Sequence, residues 1–84
     1  MKLPRDLSGA AFASLLRRYG YEITRQTGSH ARLTSTAKGN EHHVTVPLHR
    51  SLRVGTLSGM LADVAFYLEM GKEQLATELF GVEQ

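Results

Sequence analysis

Hydrophobic positions along the chain change period twice, and those changes divide it into helical and extended segments. Phe12, Leu15, Leu16 and Tyr19 recur at i, i+3, i+4 and i+7, the apolar stripe of a helix with one buried face. Ser8 stands before the stripe as a side-chain N-cap, and Leu7 before it can pack on Phe12 as a hydrophobic staple. Gly20 follows the last periodic residue, where a left-handed C-cap carries no side-chain penalty. From residue 21 the period shortens to two. "YEITRQT" (21–27) is rich in β-branched and aromatic residues. "HARLTST" (30–36) turns Ala31 and Leu33 to one face and His30, Arg32 and Thr34 to the other. "HHVTVP" (42–47) likewise sets Val44 and Val46 against His43 and Thr45. Gly28-Ser29 and "AKGN" (37–40) supply the turns, and Pro47, which has no N–H for a ladder, closes the third strand.

Helical spacing returns after the connection "LHRSLRVGT" (48–56). Thr56 reads as the cap of a helix that turns Leu57, Met60, Leu61, Val64 and Leu68 inward. Gly59 within it costs about 1 kcal/mol relative to alanine, so it reads as a point of close helix–sheet approach. Gly71 breaks this helix, and "KEQLATELF" (72–80) forms a short last one with Leu75, Leu79 and Phe80 inward. The predicted order is α-β-β-β-α-α. This is an α+β fold, a three-stranded antiparallel sheet with helices on one face and the other left to solvent. The 84 residues are expected to form one domain, 1–84, because a second would have too little chain to enclose its own core.

Composition removes several classes of function. With no cysteine there is neither a disulfide framework nor a thiolate metal site. No apolar run approaches the ~18 residues of a membrane span, and the N-terminus lacks the apolar region of a secretory signal. A soluble cytoplasmic protein without a membrane partner is expected. The net charge of +2 conceals an asymmetry: residues 1–55 hold nine Lys/Arg and three Asp/Glu, whereas residues 56–84 hold one Lys and five Asp/Glu. All four histidines lie in the basic part. A basic, histidine-bearing surface suits a polyanion, RNA or DNA first.

The alternation collects His30, Arg32, His43 and Thr45 on the open sheet face, with Arg25, Lys38, Arg50 and Arg53 on nearby turns and strand ends. Cleaving RNA by its own 2′-hydroxyl requires a base for that hydroxyl, an acid for the 5′-oxygen, and cations for the charge on phosphorus. Imidazole serves either proton role because its ordinary pKa lies near 6.5, and the arginine fork suits phosphate. A metal site is not expected: His42 and His43 are adjacent, so on a strand they point to opposite faces, and the nearest acid is Glu41. Ser29 neighbours His30, but no orienting acid or oxyanion hole marks a serine nucleophile. Neither a Walker A motif nor a dinucleotide fingerprint is present, so no cofactor is expected.

"GSH" (28–30) at the start of the second strand, "VTVPLH" (44–49) closing the third, and "GTL" (55–57) before the next helix resemble the HicA toxins. These YcfA-like proteins are small mRNA interferases of type II toxin–antitoxin pairs. "LPRDLSG", "RQTGSH" and "DVAFYLEMGKEQLATELFG" extend the likeness over nearly the whole chain. The resemblance implies a double-stranded-RNA-binding-domain-like fold, metal-independent endoribonuclease cleavage of mRNA, and inhibition by a HicB-like antitoxin. The family's G-S-H histidine, its catalytic one, falls on His30. The histidine of its P-x-H motif falls on His49, which joins Ser29 as an auxiliary candidate; Arg25, Arg32, Lys38, Arg50 and Arg53 are the RNA-binding candidates. Compact members end soon after the second helix, whereas this chain continues with an acidic segment. A non-catalytic RNA-binding module of the same shape is the alternative, and a protein-pairing subunit using the exposed sheet is a third. None of these readings fixes an oligomeric state.

Overall fold

The computed structural model describes residues 2–81. Its elements are α1 (Gly9–Leu16), a single 3-10 turn (Arg17–Tyr19), β1 (Glu22–Thr27), β2 (His30–Ser35), β3 (His42–Pro47), α2 (Val54–Leu68) and α3 (Lys72–Phe80). The order is the predicted α-β-β-β-α-α, and the strands form one antiparallel sheet in the order β1-β2-β3. Among the described residues no helix is long and apolar enough to cross a membrane.

The core lies between the helices and one sheet face. Ala31, Leu33, Val44 and Val46 from the strands meet Phe12, Leu16, Leu57, Leu61, Val64 and Leu75 from the helices, all buried. Burying such side chains stabilises by about 1.5–3 kcal/mol each, so this layer outweighs every surface contact in holding the sheet to its helices. Period-two alternation fixed which face turned inward, as expected. The opposite face of β2 and β3 carries His30, Arg32, Thr34, His43 and Thr45, and all but the half-buried Thr34 are exposed.

Ser8 caps α1 as expected, its hydroxyl accepting from the Ala11 amide at 3.0 Å. Gly20 closes the following 3-10 turn in the left-handed region. Three expectations fail. The second helix begins at Val54, capped by Arg53 without a side-chain bond, and not at Thr56. Leu52 is buried and its amide donates to the Leu7 carbonyl at 2.7 Å, so the connection is tethered early and the helix starts at once. That helix also ends at Leu68. Glu69 adopts φ 60°, and the Met70 amide returns to the Ala65 carbonyl, a Schellman closure. Gly71 instead precedes α3 as its N-cap. Gly59 marks no close approach, because a Cβ there would meet nothing within 4 Å.

A polar knot joins the far end of the sheet to α2. The Tyr21 hydroxyl lies 2.6 Å from Nδ1 of His42, whose Nε2 lies 3.1 Å from Asp63. The His42 ring stacks on Tyr67 at 4.7 Å between centroids, with 12° between planes. One tautomer satisfies every group: Tyr21 donates to Nδ1, and Nε2–H donates to Asp63. The Tyr67 hydroxyl in turn donates to the Asn40 carbonyl and accepts from the Lys38 amide, fixing the β2–β3 loop. Tyr67 is 9% exposed. It stands three residues after Val64 on the helical period, which was the available signal for its burial.

Burial, reinforced by Tyr67 and the Asp63 charge, pushes the Tyr21 hydroxyl well above its ordinary pKa. Burial, with the Glu78 contact, also raises Tyr19. Groups raised in this way contribute stability that is complete below the unfolded value of 10.0. That contribution is lost as pH climbs from there through the folded-state values. The melting temperature should therefore fall as pH passes 10. Tyr21→Phe should cost about 1 kcal/mol at neutral pH and flatten the alkaline fall. Thermal melts of both proteins on either side of pH 10 check this, and equal alkaline slopes would contradict the role given to Tyr21.

Candidate functional site

The site begins with a turn. Thr27 pairs with His30, leaving Gly28 and Ser29 as a two-residue connection between β1 and β2. Gly28 takes φ 57° while Ser29 does not enter the positive region, the pattern of a II′ turn, which wants glycine at its first central position. His30 is thereby delivered as the first residue of β2, exposed, opposite Pro47 of β3.

The chain leaving β3 brings a second histidine to the same place. The Leu48 amide donates to the Ser29 carbonyl at 2.6 Å, and the His49 carbonyl accepts from the Gly9 amide at 2.9 Å. The loop is thus held on one side by the turn that carries His30 and on the other by the start of α1. The His49 and His30 rings then meet edge to face with centroids 6.3 Å apart. Among the described residues neither ring takes part in a hydrogen bond or an ion pair. Their nitrogens remain available to a ligand.

His42 and His43 contrast with this pair. His42 belongs to the knot on the helix side. His43 lies on the open face, but Thr34 Oγ1 is 2.8 Å from its Nδ1 and Glu41 is 3.3 Å from its Nε2. Four histidines with the same intrinsic chemistry are divided by their surroundings into two available rings and two engaged ones.

Charge is placed beside the available pair. Arg25 and Arg32 are direct cross-strand partners and both are exposed. Like charges in this position destabilise a sheet. Among the described residues the ion pairs are Lys38–Glu69, His42–Asp63 and His43–Glu41, so no acid neutralises either arginine. Arg50 follows His49 on its loop and Arg53 caps α2, both exposed. Lys38 is placed apart from the histidine pair, in the β2–β3 loop at the opposite end of the sheet, 3.5 Å from Glu69. Ser29 is exposed and contributes its carbonyl to the loop contact.

Among the described residues no three His, Cys, Asp or Glu side chains gather closely enough to hold a metal ion. Two grooves, of about 870 and 470 Å³, lie on the helix side, and neither includes His30 or His49. The histidine pair is exposed at one end of the sheet.

Sequence reasoning identified His30 and listed His49, but not what joins them. That element is Gly9. A Cβ at Gly9 would fall 1.9 Å from the Pro47 carbonyl oxygen, so α1 reaches the end of β3 only because this residue has no side chain. Nothing local in "LSGAAF" announces the contact. Gly9→Ala should therefore destabilise by about 2 kcal/mol, through overpacking, although alanine is the better helix former by about 1 kcal/mol. Thermal or denaturant unfolding gives the sign, and a stabilised variant would show that the backbone yields at this point.

Residues 9–65 match the model of the HicA toxin family, described as "HicA toxin of bacterial toxin-antitoxin". No curated protein and no solved structure matches the chain. The matched segment runs from Gly9 through the three strands and most of α2, and so contains His30, His49, Arg25 and Arg32.

Proposed function

We propose, on the premise that the chain belongs to the HicA toxin family of toxin–antitoxin systems, that it is an endoribonuclease acting on single-stranded mRNA through His30 and His49. The observation carrying this reading is the juxtaposition of two unengaged imidazoles, 6.3 Å apart, beside an unneutralised arginine pair. One imidazole takes the proton of a 2′-hydroxyl as that oxygen attacks phosphorus. The other protonates the departing 5′-oxygen as the P–O5′ bond breaks. Arg25 and Arg32, with Arg50 and Arg53, hold the phosphates and offset the charge that develops on them. The products are a 2′,3′-cyclic phosphate and a 5′-hydroxyl. The 2′-hydroxyl supplies the nucleophile, so the step calls for no metal. Residues 1–84 act as one unit in the cytoplasm, and a HicB-like antitoxin covers the same basic face in competition with RNA.

The direct test compares the parent with His30→Ala and His49→Ala on defined single-stranded RNA in chelator. Each variant should lose about 10²–10⁴-fold in cleavage rate. His30 is exposed at a strand start, so its loss should cost within about 0.5 kcal/mol of stability. A folded, fully active His30→Ala would remove that residue from the chemistry. Activity abolished by chelator and restored by Mg²⁺ would overturn the metal-free step. If the parent binds RNA without cutting it, the protein is a binding module instead.

Binding should also weaken with salt, by about 0.7 log units per log of salt for each phosphate neutralised on a single strand. Replacing Arg25 or Arg32 by Gln should lower affinity across all sequences alike and reduce that slope by about one phosphate's worth. Filter binding at several salt concentrations measures both. An affinity unmoved by salt would rule the basic face out as the contact surface.

A further inference from the structure

The site described leaves one part of the open face unassigned: the end of the sheet remote from His30 and His49. His43 is exposed there, opposite Thr34 on β2. Its ring is anchored twice, by Thr34 Oγ1 at 2.8 Å and Glu41 at 3.3 Å. Thr34 is itself 2.7 Å from Thr24 Oγ1, which also reaches the Arg32 carbonyl at 3.3 Å. Thr24 joins this row because the β1–β2 register shifts between Ile23 and Arg25, adding one residue to the edge strand. Bulges of this kind re-aim side chains beside functional sites.

With a hydrogen bond at Nδ1 and the Glu41 carboxylate beside Nε2, both nitrogens of this ring face protein groups. What it still offers is the flat face of its ring, held in a fixed orientation. The three strands contain no Phe, Tyr or Trp, so among strand residues the π surfaces are those of the histidines. Unpaired RNA bases stack on such rings, histidine included.

We propose that His43 is a base-stacking platform for a nucleotide flanking the cleavage point. The inference rests on the reading of single-stranded RNA as the ligand. His43 faces Thr34, and Thr34 is four residues along β2 from His30, roughly 13 Å at about 3.3 Å per strand residue. That is several times the ~3.4 Å rise between stacked bases, so the platform engages a base beyond the scissile step. Arg32 lies midway on the same face, paired with Arg25. The track then runs from proton-transfer pair to phosphate contact to base platform. Charge complementarity along it selects a polyanion with splayed bases as the occupant, over a protein segment.

The experiment uses the full chain and single-stranded RNA oligonucleotides carrying 2-aminopurine at successive positions around the mapped cleavage point. The expected result is quenching of 2-aminopurine at one flanking position in the parent protein. His43→Ala should abolish that quenching and weaken binding about 5- to 100-fold. His43→Phe keeps a ring face but loses the Thr34 hydrogen bond and the Glu41 contact, and should restore quenching and most of the affinity. Thermal melts of both variants register any loss of fold. If the parent binds RNA and His43→Ala binds equally well, the platform is overturned while the ribonuclease reading stands. If His43→Phe remains folded yet behaves like His43→Ala, the polar contacts of the ring matter and stacking is overturned. If the parent binds no RNA, the functional reading fails and this inference fails with it.

Discussion

The site depends on a contact in which a side chain is missing. Gly9 lets the first turn of α1 rest against the backbone leaving β3, where any Cβ would strike the Pro47 carbonyl. Its amide then reaches His49, while the next contact along the loop ties Leu48 to Ser29. Ordering a loop residue costs about 1–2 kcal/mol of backbone entropy, and a loop without these ties would let His49 wander. Two hydrogen bonds and a van der Waals contact turn a strand entrance and a surface loop into one rigid patch. Under the reading proposed above, proton transfer across a phosphodiester tolerates little misplacement, since a displacement of about 1 Å can cost a hundredfold in rate. The placement of the two rings therefore depends in part on α1, an element that contributes no candidate residue.

The histidines show how environment assigns roles to one residue type. Strand alternation sends His42 inward and His43 outward, although they are neighbours. His42 meets Tyr21, Asp63 and Tyr67 and joins the hairpin to α2. Its array of Tyr, His and Asp contains the ingredients of a catalytic relay. It nevertheless lies on the helix side and holds its partners in packing, away from the arginines. His43 meets Thr34 and Glu41, while His30 and His49 retain their nitrogens. Counting histidines in the basic half of the chain does not distinguish them, whereas their hydrogen bonds separate the two engaged rings from the two available ones.

Much of the fold was legible because short-range rules carried it. Ser8 caps the first helix and Gly20 closes the 3-10 turn after it, and the alternation in "HARLTST" and "HHVTVP" assigns the faces of β2 and β3 correctly. What stayed hidden was tertiary. Thr56 has the chemistry of a cap, but the tether at Leu52 starts the helix earlier. Gly71 looks like a helix breaker, yet Glu69 supplies the left-handed turn before it. The bulge that brings Thr24 to Thr34 leaves no composition signal, and the approach of Gly9 to Pro47 joins segments far apart in sequence. The position of His30 at the start of β2 was readable from its Gly-Ser turn. Its proximity to His49 needed the loop geometry, which no spacing in the chain encodes.

The pairing of Arg25 with Arg32 also bears on how the protein behaves with this face uncovered. β1 is an edge strand exposed along its whole length, and such edges invite pairing with other chains. A bulge and a charged side chain blunt that hazard, so Thr24 and Arg25 protect the edge as well as shape the face. The cost is a cross-strand repulsion that nothing among the described residues relieves. A ligand that brings negative charge relieves it, and this favours the bound state beyond the contacts themselves. The same reasoning applies to inhibition within a toxin–antitoxin pair. A protein that silences this face by covering it must also supply anionic groups opposite the arginines, or bury two unpaired charges at a cost of several kcal/mol. Under the reading proposed here, substrate and antitoxin are recognised by the same electrostatic deficit, and their competition follows from it.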